Sequence, residues 1–201
     1  MVRKIYLMRH AAVIKPKEKI FVGSKDLMLS ARGIFQAKRI SDYFSEIPLE
    51  GVFCSSLKRA SATAEIICRG RKVPINIVKE LNEINVGSFE GKSIKEVAEQ
   101  YPLEILQRDT DIYNYKFPGG ESYFELESRV YGAFCRIIEN TTGDILIVAH
   151  EGVNRAILSK IIECSGSNLK KNISFDLKCG GINVIKQYNK GYSVSKNILI
   201  A

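Results

Sequence analysis

The chain contains two histidines, and both stand directly behind apolar runs: His10 in "KIYLMRHA" and His150 in "DILIVAHEGVNR". Imidazole titrates near neutral pH, so it can serve as base, acid or nucleophile. One histidine in such a place is ordinarily a loop or packing residue. Both histidines of a chain in equivalent places, each with an arginine nearby, point instead to a shared site. Two further segments present charge in the same way. "VFCSSLKRASATAE" puts Arg59 in the first helical turn after an apolar run, and "VKELNEINVGSFEG" puts Glu83 just past another. Guanidinium forks match phosphate oxygens bidentately, and a phosphate group carries roughly −1.5 to −2 charges at neutral pH. Arg9, His10, Arg59 and His150, with Glu83 beside them, read as a phosphate pocket with one carboxyl group. An arginine in a first helical turn opposes the helix dipole unless an anion sits there, which fits that reading.

The elements that must position these residues follow from periodicity. Short β-type runs cover 2–8, 51–54, 75–78, 144–149, 181–188 and 192–200, and helical spacing covers 29–44, 57–68, 93–106, 122–140 and 152–164. "SIKE" from Ser93 and "SYFE" from Ser122 match the capping box, and "YNKG" at 188–191 matches a hairpin turn. Strands alternating with helices predict a three-layer α/β/α sandwich with a mostly parallel central sheet. The segment at about 90–120 lacks a good strand and is expected to form a small helical cap insertion on a single domain spanning 1–201. In such sheets, ligands gather outside the carboxyl ends of the strands, where both histidines fall.

Composition limits the function classes. At 201 residues and 45% hydrophobic, the chain can bury a sizeable core. Its apolar runs are shorter than the roughly eighteen residues a bilayer crossing needs, and early charges argue against a secretory leader, so a cytoplasmic protein without a membrane partner is expected. Five cysteines without C-x-x-C spacing read as reduced, mostly buried thiols. The net charge of +8 is scattered and interleaved with acids, which favours solvation over a nucleic-acid surface.

The chain resembles the histidine phosphatase superfamily, in the branch of phosphoglycerate mutase-like and α-ribazole phosphatase-like enzymes. The resemblance rests on the order and spacing of "LMRHA", the segment from Phe21 to Ile40, "SSLKRASATAE", "LNEINVGSFEG", "PGGES" and "IVAHEGVNRAIL". It implies a metal-free, cofactor-free phosphomonoester hydrolase acting on a small phosphorylated metabolite through a phosphohistidine. His10 would be the nucleophile, with Arg9, Arg59 and His150 holding phosphate oxygens and Glu83 alternating between acid and base. The backbone N–H of Gly23 is placed by the family pattern as a further phosphate donor.

The chain departs from the pattern at Ala11, Ala12 and Pro16, where the family usually has glycine, an acidic residue and asparagine. Rival readings differ in reach. Phosphoglycerate mutase-type transfer shares the phosphohistidine step, but the family's mutases are longer and exclude water more fully. A non-catalytic phospholigand-binding domain would keep the fold without turnover. "GSFEGKS" is one residue short of a nucleotide-binding loop, "CSSLKR" is one residue short of a cysteine phosphatase loop, and "HEGVN" lacks the second histidine of a zinc motif. Tyr101, Tyr113, Tyr115 and Phe117 are candidates to line a sugar or ring site, or to pack the cap. Oligomeric state leaves no mark.

Overall fold

A computed structural model of the chain describes residues 2–164, 177–189 and 191–200. Among the described residues, six strands form one sheet in the order β3-β2-β4-β1-β5-β6. These are β1 (Arg3–Arg9), β2 (Gly51–Cys54), β3 (Ile75–Ile77), β4 (Ile145–Ala149), β5 (Gly181–Tyr188) and β6 (Gly191–Leu199). The pairings of β1 with β4, β4 with β2 and β2 with β3 are parallel, and β5 joins β1 antiparallel, as does β6 to β5. The sheet is thus parallel where strands alternate with helices and antiparallel at the terminal hairpin. Tyr188 pairs with Gly191 as the expected turn requires, and its Lys190 lies outside the described residues.

Alternation along β1 shows how the layers are filled. Ile5 and Leu7 face a core shared with α5 (Tyr123–Glu139) and α6 (Glu151–Cys164), while Tyr6 and Met8 face α1 (Ala31–Phe44) and α2 (Lys58–Ile67). All five residues of β4 are buried, as a strand covered on both faces must be. Helix starts follow the expected chemistry. Ser122 caps α5 with a full capping box to Glu125, and Ser93 does the same with Glu96.

One expected element differs. The helix read over 93–106 is two helices, α3 (Ile94–Gln100) and α4 (Pro102–Thr110), broken at Tyr101 with φ −132° and ψ 52°. Pro102 lacks an N–H and its ring excludes the helical region for the residue before it, so it ends one helix and opens the next at a favoured first position. Beneath these helices, Phe89 packs its ring against Phe21, Tyr101 and Phe117 at centroid separations of 5.3–5.7 Å. Among the described residues, no helix is long and apolar enough to cross a membrane.

Candidate active site

Strand order brings the chemistry together. Arg9 pairs with Ala149 and Cys54 with Val148, so β1, β4 and β2 end level with one another. The residues next in sequence, His10, His150 and Ser55, therefore emerge side by side. His10 N–H donates to Ala149 O at 2.9 Å and Ser55 N–H to Val148 O at 3.1 Å, and the two imidazole centroids lie 5.3 Å apart. Adjacent strands are about 4.8 Å apart, so this separation is the sheet's own spacing.

The loop after His10 is pinned at several points. Ala11 N–H donates to Thr63 Oγ1, Ala12 N–H donates to Gln36 Oε1, and Gly180 N–H is shared between Arg9 O and His10 O at 3.1 and 3.0 Å. Ala11 is fully buried, and no described residue other than glycine has positive φ, so this loop accommodates alanine without strain.

His10 is 5% exposed, and its Nδ1 lies 2.8 Å from Ala11 O. A carbonyl oxygen only accepts, so Nδ1 carries the proton, and in the neutral ring Nε2 keeps its lone pair. Burial, together with the Arg59 and Arg9 charges, pushes the His10 pKa down to about 3. At neutral pH the ring is therefore neutral, as a nucleophilic imidazole has to be.

His150 is fully buried, and its orientation is fixed by a directional chain. Arg59 Nε–H donates to His150 Nδ1 at 3.2 Å, His150 Nε2 lies 2.8 Å from Ser55 Oγ, and Ser55 Oγ–H donates to Asn82 Oδ1 at 2.8 Å. Burial first, and then the Arg59, His10 and Arg9 charges, hold His150 well below its usual pKa. Arg59 is 2% exposed. It escapes the dipole conflict expected for a first-turn arginine because its guanidinium turns away to donate to Lys25 O at 2.6 Å and Gly23 O at 2.9 Å. Gly23, at φ +47°, is required there, since a Cβ would sit 2.7 Å from Val86 and 2.9 Å from Ile84 O. Its carbonyl serves Arg59, and Glu90 holds the next residue through Ser24 N–H at 2.8 Å.

Glu83 follows the short turn after β3. It accepts from Ile84 N–H at 3.0 Å and from Gly152 N–H, in the first turn of α6, at 3.1 Å. Burial raises its pKa, opposed by those two hydrogen bonds and by Arg59 and Arg9. On α5, Arg129 clamps this segment by donating to Glu80 O at 2.6 Å and Glu83 O at 3.3 Å. Arg9 donates through Nη1 to Glu151 Oε2 and to Leu177 O, both at 2.7 Å. Its Nε is buried and makes no hydrogen bond to any described residue. Such a donor costs about 1–3 kcal/mol, which an anion's oxygen would recover.

Arg9, His10, Gly23, Arg59 and Glu83 all line one cavity of about 470 Å³, and His150 stands behind it against Arg59. Sequence reading missed Ser55 and Asn82, whose roles appear only when strand ends are aligned. It also missed Lys19, Arg108, Tyr123, Glu151 and Arg155 on the cavity's outer wall. A signal existed for the pair Glu151 and Arg155, which follow His150 at helical i, i+4 spacing. Of the four aromatic candidates, Phe117 lines this cavity and Tyr113 an adjoining recess, whereas Tyr101 packs on Phe89 and Tyr115 on Phe117. Of the described cysteines, Cys54 and Cys68 are buried and Cys135 and Cys179 half-buried.

The family model for the histidine phosphatase superfamily, branch 1, matches residues 5–197. The chain belongs to that family. Among family relatives, the rat protein named 6-phosphofructo-2-kinase/fructose-2,6-bisphosphatase 4 is 32% identical over 170 residues, covering 83% of this chain and 34% of its own. The chain therefore spans about a third of the length of the curated relatives it matches. The α-ribazole phosphatase from Shigella flexneri superposes with a TM-score of 0.86 at 25% identity, over 96% of this chain and 94% of that one. The phosphoglycerate mutase from Bacillus anthracis shares the fold, with a TM-score of 0.77 at 19% identity over 96% and 92% of the two chains. Histidine phosphatase relatives are thus phosphatases or mutases, and a phosphatase-type enzyme is the reading they support for this chain.

Proposed function

We propose that the protein hydrolyses phosphomonoesters of a small metabolite through a phosphohistidine on His10, with no metal in the reaction. The observation that carries this reading is the state of His10: a neutral ring, its Nδ1–H held by Ala11 O, next to a buried Arg9 Nε–H that no described residue accepts. His10 Nε2 attacks phosphorus in line with the departing ester oxygen, so that an N–P bond forms as the P–O bond breaks. Arg9 and Arg59 stabilise the equatorial oxygens, aided by the Gly23 N–H, while His150, whose two ring nitrogens are engaged by Arg59 and Ser55, orients Arg59 rather than binding phosphate, and the leaving oxygen takes its proton from Glu83. The Glu83 carboxylate then takes a proton from water, the water oxygen bonds to phosphorus, and the N–P bond breaks to release phosphate. The raised Glu83 pKa favours the protonated carboxyl that the first step needs. Placing the protein in the cytoplasm, as one domain with α3 and α4 as a cap, belongs to the same proposal.

The test is turnover of p-nitrophenyl phosphate in EDTA, followed by rapid-quench labelling. Steady release that disappears in His10→Ala, with acid-labile phosphate trapped on His10, supports the reading. Label on another side chain, or a strict metal requirement, overturns it. Transfer of label to an added hydroxyl acceptor would assign a mutase, and no turnover across several esters would assign a phospholigand-binding domain.

A further inference from the structure

The outer wall of the cavity carries a carboxylate that bridges two of its cations. Glu151 Oε2 accepts from Arg9 Nη1 at 2.7 Å, and Glu151 Oε1 accepts from Arg155 Nη2 at 3.3 Å. Arg9 is one of the groups assigned above to the phosphate, so one edge of the anion site is already occupied by an anion of the protein itself. Beyond Glu151 the cavity meets a second recess of about 420 Å³, and the two share Tyr123, Glu151, Gly152 and Arg155. Past that shared wall, Ile112, Tyr113 and Ala156 give the recess a largely apolar lining. An ester seated with its phosphorus at His10 and its alcohol running along this wall must pass Glu151.

We propose that Glu151 is a specificity-determining residue that selects phosphomonoesters of uncharged or cationic alcohols over those bearing a second phosphate or a carboxylate. This deepens the proposed function and rests on it. A second anion would have to displace Glu151 from Arg9 and Arg155, or lie beside it, and both raise the energy of the complex. A hydroxyl or ammonium group instead finds an acceptor. The Glu151 side chain is 44% exposed, so water damps the repulsion and the expected discrimination is roughly tenfold rather than several hundredfold.

The experiment compares kcat/KM for glycerol 2-phosphate and 2-phosphoglycerate, which differ in a carboxylate replacing a hydroxymethyl group. The protein should favour the neutral ester roughly tenfold, and Glu151→Gln should shrink that ratio severalfold, chiefly through KM for 2-phosphoglycerate. Added salt should shrink the ratio in the unmodified protein, and Glu151→Gln should abolish that fall, because the charges left on this wall, Lys19, Arg108 and Arg155, attract a second carboxylate rather than repel it. A merely structural Glu151 would change both esters together. An unchanged ratio, or one that moves further toward the neutral ester, overturns the inference. Calorimetric titration of both esters into His10→Ala, with and without Glu151→Gln, reads the discrimination without chemistry. No turnover by the unmodified protein, with preserved Glu151-dependent discrimination in binding, would therefore remove the phosphohistidine reading and leave this one standing.

Discussion

At the scale of single residues, the site works by fixing protons. His10 stays unprotonated until the pH approaches about 3, so the acid side of the kcat/KM profile should not show the inflection near 6.5 of an ordinary histidine. In the proposed reaction Glu83 donates a proton, and its raised pKa places the expected alkaline fall in activity above the usual carboxylate range. A pH–rate profile checks both limbs, and Glu83→Gln should lower kcat about a hundredfold and abolish the alkaline fall. Ser55 Oγ accepts from His150 Nε2–H and donates its own O–H to Asn82 Oδ1. Ser55→Ala should leave that buried imidazole N–H unsatisfied, at a cost of about 1–3 kcal/mol in chemical denaturation, and lower kcat by misorienting His150. The five charged and imidazole groups were legible in the sequence because each follows an apolar run. Ser55 and Asn82 were not, since a serine after a strand is common and only strand alignment shows what it faces.

At the scale of elements, the start of α6 ties Glu83 to the strand end that presents His150. Gly152 N–H donates to Glu83, and a Cβ on Gly152 would stand 2.5 Å from Glu83 Oε1. Gly152→Ala should therefore lose most activity, by pushing the carboxylate aside, while stability stays within about 1 kcal/mol because the helix preference gained offsets that displacement. Urea denaturation paired with steady-state kinetics would show that divergence. The capping boxes at Ser93 and Ser122 were readable because the motif is local, with both partners three residues apart. Ser122→Ala should cost about 1 kcal/mol of stability in the same denaturation assay. The break at Tyr101 was equally local, but the apolar spacing of 93–106 continues through Pro102 and concealed it. Arg59 shows what periodicity cannot reach. Its place in the first turn of α2 was visible, whereas the carbonyls of Gly23 and Lys25 that receive it come from a loop more than thirty residues away.

At the scale of the molecule, both histidines are neutral when folded and would be protonated when unfolded below about pH 6.5, so the unfolded chain binds more protons there. Stability should fall on acidification from about pH 7 to pH 5, and for His10 that loss is complete only near its folded pKa of about 3. Glu83 acts with the opposite sign, losing its contribution as pH rises through its raised pKa. Thermal melts across this range should steepen with acid in the unmodified protein and flatten in His10→Asn. The family and the α/β/α architecture were legible because motif order and strand–helix alternation survive without knowledge of contacts. The parallel sheet's antiparallel edge followed from the hairpin reading of 188–191. That edge has its own consequence. The strand carrying His10 lies between β4 and β5, and Gly180 N–H, just before β5, binds the carbonyls of Arg9 and His10. His10 is thus held by a residue synthesised 170 positions after it. A nascent chain should stay inert until that late strand emerges to meet it.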